Sequence, residues 1–161
     1  MFTSPAVTRL VHVAFITAGA LAFGGAAYLS LPAMNTDASL PRAKMFVHEI
    51  PITVEMATTD ASREKGLSER TSLPEGTGMI FTFGAPGRWG IWMKDMRFHI
   101  DIVWLDRKGK VITVEKNVAP ETYPKIFVPE SDAWYALELP AGETERYLIA
   151  PGDMISLPQL Q

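Results

Sequence analysis

The chain of 161 residues, with a formal charge of -3 and a pI near 5.6, has room for one domain with a proper core. Its 15 Lys and Arg against 18 Asp and Glu form no basic stripe, which excludes a general nucleic-acid binder that relies on phosphate contacts. The absence of cysteine excludes disulfides, thiolate catalysis and Cys-ligated metal sites.

From Leu10 to Leu31 the run LVHVAFITAGALAFGGAAYLSL carries no charge apart from a proton on His12, and Arg9 precedes it. A run of about 20 apolar residues spans the hydrocarbon layer as a helix. A secretory signal peptide has the same order of parts with a shorter apolar region, and Gly25-Ala26-Ala27 or Thr36-Asp37-Ala38 offers small residues for cleavage. Length favours the uncleaved anchor over the signal peptide, and residues 1–31 are read as one or the other. Both place the remainder on the periplasmic or extracellular side of the cytoplasmic membrane, with the membrane as partner through residues 10–31.

Residues 32–42 have linker composition, with Pro32, Pro41 and several small polar residues, so a folded domain is expected over 43–161. Phe46 to Met56 alternates, with Ile50, Ile52, Val54 and Met56 on one side, and predicts one half-buried strand. Pro51 lacks an amide donor and restricts that strand to an edge, or to pairing on one side. Thr58 to Arg70 predicts a short helix, capped by Thr59 or Asp60, stopped at Gly66, with Ala57, Ala61 and Leu67 as its apolar face.

The stretch Gly78–Asp106 is the centre of the chain. It holds three of the four tryptophans and alternates Met79, Phe81 and Phe83 before turning at Gly84–Gly87. Ile100 to Asp106 is apolar on both sides except at Asp101, as in an interior strand. Arg107-Lys108-Gly109 then makes a tight hairpin to Val111–Val114. A short strand is expected at Ile126–Val128, another at Trp134–Leu139, a helical turn at Glu143–Leu148 and a last strand at Met154–Leu157. The predicted fold is α+β: a mainly antiparallel, barrel-like sheet with one or two short helices, preceded by an N-terminal apolar helix.

Several of these pieces occur together in a known family. Arg63-x-x-Gly66-Leu67-x-x-Arg70, Leu73-Pro74, Gly78-Met79-x-Phe81-x-Phe83, Trp92-Met93-Lys94, Ile100-Asp101-Ile102, Leu137-Glu138-Leu139-x-Ala141-Gly142 and Gly152-Asp153 resemble the DUF192 family in order and spacing. The resemblance covers roughly residues 45–157. It implies a compact β-rich fold, often exported, and no established activity. Ser68 stands where the family usually has Met, and Asp95-Met96 where it often has Asn-Thr, so a ligand bound there would differ.

Asp101 and Glu138 are the foremost chemical candidates, since each carboxyl stands between large apolar neighbours and is costly to bury unless paired or hydrogen-bonded. They either pair with Arg70, Arg63 or Lys94, or accept backbone amides and fix loops to the sheet, or else form a hydrolytic acid–base pair for an envelope glycan. Met93, Met96 and His99 offer a soft donor set for Cu(I), against the commoner role of methionine as core filler. Trp89, Trp92 and Trp134, with Lys94 and Arg70, are candidates for contacting a small molecule or an envelope partner. With no P-loop, dinucleotide fingerprint, G-x-S-x-G or H-E-x-x-H, no cofactor is expected. The function expected is therefore an exported or anchored binding or envelope accessory module. The hydrolase is the alternative, and copper binding the third reading.

Overall fold

The structure is a computed structural model that describes residues 39–158; the expected N-terminal helix over residues 10–31 lies outside them. Among the described residues no helix is long and apolar enough to cross a membrane. Residues 39–158 fall within one compact unit.

Alternating apolar side chains produce β1 (Arg42–Val47) and β2 (Ile50–Ala57). They are two strands rather than the single one expected, because His48 and Glu49 turn the chain with φ of 45° and 70°. The turn was hidden because this left-handed backbone usually signals itself by Gly or Asn, and neither is present. Ile50 consequently faces solvent. β2 is an interior strand, flanked by β1 and β3. Pro51 is tolerated there because it faces only Phe46 of β1, and pairing to β3 begins at Thr53.

Helix α1 (Asp60–Lys65) starts in a capping box: Ser62 N donates to Thr59 Oγ1 at 3.1 Å and Thr59 N donates to Ser62 Oγ at 2.9 Å. Gly66, at φ 49°, ends it. No α1 residue is buried, so Ala61 is not part of an apolar face; Leu67, just beyond, carries the contact. With the loop to residue 76, α1 forms the crossover that lets β2 run parallel to β3 (Thr77–Gly87). The short β4 (Ile91–Trp92) follows, then β5 (Ile100–Leu105), buried throughout, and β6 (Val111–Val118). β7 (Ile126–Phe127) pairs with β4 in a small second sheet. β8 (Ala133–Pro140), helix α2 (Glu143–Arg146) and β9 (Ile155–Ser156) complete the chain.

The main sheet has the order β6-β5-β8-β3-β2-β1-β9. Only the β2–β3 pair is parallel. One apolar cluster draws on all seven strands, from Met45 and Ile52 through Ile80, Leu137, Val103 and Val111 to Ile155, and fills the inside of the curl. A second cluster, including Met79, Phe81, Ile102, Trp104 and Ala136, lies on the outer face under Leu67, Leu73, Met93 and Phe127. The C-terminal segment also joins the sheet's two ends. β9 pairs with β1, while Ile155 N donates to Gly109 O at 2.9 Å and Val111 N to Asp153 O at 2.8 Å. The fold is thus mainly β, a curled half-barrel with two short helices.

Candidate functional site

Sheet register decides what the two buried carboxyls can do. Directly opposed residues on neighbouring strands share a face, and consecutive residues alternate. Asp101 is opposite Leu139, whereas Glu138 is opposite Ile102. The carboxyls therefore point to opposite faces of the sheet. They cannot flank one scissile bond, and the hydrolytic pair is not assembled.

Asp101, on the inner face and with no exposed surface, accepts four hydrogen bonds. Asn117 N reaches Oδ1 at 2.8 Å, while Gly142 N, Thr144 N and Thr144 Oγ1 reach Oδ2 at 3.0, 2.9 and 2.6 Å. This is the backbone-amide alternative among the sequence expectations. The carboxylate ties β5 to β6 and to the turn entering α2, beside a cavity of about 330 Å³ lined by Lys116, Asn117 and Glu145. With its acceptors filled, it is committed to structure.

Glu138 lies on the outer face in a row of cross-strand neighbours: Arg42, Glu55, Met79, Glu138, Ile102 and Glu115. Arg70 enters this row from the loop after α1. Its Nη1 and Nη2 donate to Glu55 Oε1 and Oε2 at 3.2 and 2.6 Å, and Arg42 Nη2 adds a bond to Oε1 at 3.2 Å. Arg70, more than Arg42, holds the Glu55 carboxyl below its usual range. Glu138 is 5% exposed, and burial pushes its carboxyl up to about 8 against the opposing pull of Arg70. Arg63 does not pair with either carboxyl of interest. Its Nη1 donates to Thr58 O and Thr82 O at 2.8 and 2.7 Å, and its Nη2 contacts Asp60.

Sequence reasoning passed over Glu143, taking it only as the start of a helical turn. It is buried, its Oε1 accepts from Gly76 N at 2.8 Å, and its Oε2 has no hydrogen-bond partner. Burial raises its carboxyl above the usual range, partly offset by that amide.

The tryptophans separate by role. Trp104 is fully buried and donates from Nε1 to Trp89 O at 2.9 Å. Trp89 stacks on Phe83 at 4.7 Å and donates to Ala85 O at 3.0 Å, and Trp134 lies under Arg107 at 5.2 Å. Trp92 alone of these is an exposed large apolar side chain, at 47%. It is the cross-strand neighbour of Ile126, stands edge-on to Tyr123 at 5.9 Å, and has Lys94 Nζ over its ring at 5.8 Å. Gly90 makes room beside it. A Cβ there would meet Ile126 Cγ2 at 2.5 Å and Val128 Cγ1 at 3.6 Å. Trp92, Tyr123, Ile126 and Val128 thus form one exposed aromatic and aliphatic face on the β4–β7 sheet. Tyr123, Ile126 and Val128 were not among the sequence candidates, and no local pattern pairs them with Trp92.

Met93 is buried in the outer cluster and Met96 packs against it, while His99 is exposed with Nδ1 2.9 Å from Asn117 Oδ1. The segments carrying the two unusual positions run side by side: Ser68 Oγ donates to Lys94 O at 3.1 Å, and Glu69 N to Asp95 O at 2.8 Å. A shallow groove of about 580 Å³ at the β1–β9 edge holds Phe46, His48, Glu49, Met154 and Ser156. It contains no nucleophile–base pair. His48 Nδ1 faces Tyr147 O and Nε2 faces Asp153, and Ser156 Oγ is bound to the Phe46 backbone. Among the described residues no cluster of three His, Asp or Glu side chains is placed to hold a metal ion.

Fold and site define a class: a small, mainly-β half-barrel whose inner carboxylate braces the sheet and whose second, two-stranded sheet shows aromatics to solvent. The DUF192 profile, described as an uncharacterised conserved family, matches residues 43–157, and the chain belongs to that family. The similar solved structures include these two. One, from Sinorhizobium meliloti 1021, is described as a candidate transcription regulator; it is 29% identical over 71% of this chain and 91% of its own, with a TM-score of 0.66. The other, a protein of unknown function from Novosphingobium aromaticivorans, is 25% identical over 84% of this chain and 99% of its own, with a TM-score of 0.67. No curated protein matches this chain.

Proposed function

We propose that this chain is a non-enzymatic binding module of the cell envelope, anchored or exported through residues 10–31, with the β4–β7 face as its contact surface. The exposed cluster of Trp92, Tyr123, Ile126 and Val128 carries the reading, since monomeric domains seldom leave aromatic and aliphatic side chains grouped at the surface without a partner. Two further observations support it: the carboxyls expected to act in hydrolysis face apart, and the hydroxyl in the groove at the sheet edge, Ser156, is bound to the Phe46 backbone rather than to a base. Regulation of transcription, the description given to the S. meliloti relative, is not carried over. The charge of -3 and the absence of a basic stripe disfavour nucleic acid as partner.

Fractionation of cells expressing the chain with a C-terminal tag tests the reading. Recovery with the membrane or periplasm, and digestion of the tag by protease added to spheroplasts, is the expected outcome. A protease-protected, cytosolic protein would overturn it.

A further inference from the structure

We propose that the β4–β7 face docks on the membrane itself, seating Trp92 and Tyr123 at the boundary between headgroups and acyl chains. This rests on the anchored reading above and names the partner of the same surface. Trp and Tyr have an apolar body and a polar tip, which suits them to that boundary. Here they stand together with Ile126 and Val128, and each of the four is at least 40% exposed. Lys94 sits over the Trp92 ring and is the cation beside the apolar face, whereas Lys125 Nζ lies over the ring of Phe127, which points the other way. Asp95 and Glu121 are also exposed and offset Lys94, so insertion of apolar side chains supplies most of the attraction.

In the anchored reading, chain length keeps the domain close to the bilayer. Residues 32–41 join the apolar run to β1 and reach at most about 35 Å, at roughly 3.3–3.6 Å per residue. A domain of this size is itself about 35 Å across. An anchored chain therefore holds the domain within one diameter of the bilayer, where even weak affinity is amplified by high effective concentration.

The fragment 39–161 is the material for the test, because the S. meliloti crystal structure is matched over 91% of its own length by 71% of this chain, an extent that this domain can supply. It is mixed with vesicles of phosphatidylcholine, with and without phosphatidylglycerol. Binding, a blue shift of tryptophan emission and quenching by brominated lipid are expected, with modest strengthening by the anionic lipid. Trp92→Ser and Ile126→Ser, checked for unchanged melting, should each weaken partitioning about tenfold or more. Brominated-lipid quenching of the wild type reads insertion even where a variant misfolds. Vesicles that leave emission and sedimentation unchanged would overturn the proposal, as would vesicle binding indifferent to both variants. Saturable binding of a soluble envelope glycan or peptide through Trp92, with vesicles inert, would overturn it in favour of that partner. A full-length chain in the membrane fraction whose fragment ignores vesicles removes the docking surface and leaves the anchored reading standing. A cytosolic full-length chain whose fragment binds vesicles does the reverse.

Discussion

Asp101 and Glu138 stand one register step apart on neighbouring strands and point to opposite faces of the sheet. One accepts four hydrogen bonds from two segments; the other is buried, with its carboxyl pushed up to about 8 against the pull of Arg70. Their substitutions should therefore behave differently, although both replace a buried carboxyl with an amide.

Asp101→Asn puts an amide donor where either Asn117 N or the three donors from Gly142 and Thr144 now converge. An unsatisfied buried donor costs about 1–3 kcal/mol, and more when a charge-assisted network is broken. Urea unfolding at neutral pH should show a loss of about 3 kcal/mol.

Glu138→Gln should instead change how stability depends on pH. The folded-state carboxyl titrates at about 8, above its ordinary value of 4.5. Its contribution is therefore fully present below the unfolded value and is lost as pH rises through the folded one. Melts from pH 5 to pH 9 should show the wild type weakening across that window and the Gln variant weakening much less, with the raised Glu143 carboxyl as its remaining source of pH dependence. The difference at pH 9 should be on the order of 3 kcal/mol in favour of Gln. A wild type whose melting is level over the same range would refute this.

Arg70→Met removes the cation that lowers Glu55 and opposes the rise of Glu138. Both carboxyls should titrate higher in carbon-detected NMR, and the pH window of weakening set by Glu138 should extend further upward from the same lower edge. The half-buried Glu55 keeps only the contact to the exposed Arg42, so stability at pH 7 should fall by about 1–3 kcal/mol.

Gly109→Ala tests the junction between the ends of the sheet. The glycine has φ of +88°, and an added Cβ would lie 2.2 Å from Ile155 O. The backbone must move, and the bond from Ile155 N to Gly109 O should break. Faster amide exchange at Ile155 and Val111, with a stability loss of about 2–4 kcal/mol, is the expected result.

Local patterns carried much of the fold. Thr59 and Gly66 bracket α1 because a cap and a left-handed stop act within one turn of chain, and Gly109 marks its hairpin for the same reason. The unbroken apolar run Ile102–Leu105 announced an interior strand, and β5 is buried on both faces. The His48–Glu49 turn escaped because neither residue advertises positive φ.

What the sequence determined by itself was therefore the set of strands, the short capped helix, the family and the oddity of two carboxyls among apolar residues. Those depend on neighbours along the chain. Tertiary structure alone decided that β2 runs parallel to β3, that Ser68 meets Lys94, and that Trp92 gathers Tyr123 and Ile126 from about thirty residues away. It also decided the faces of Asp101 and Glu138. A slip of one residue in register exchanges the two sides of a strand, and register is set by packing between distant segments.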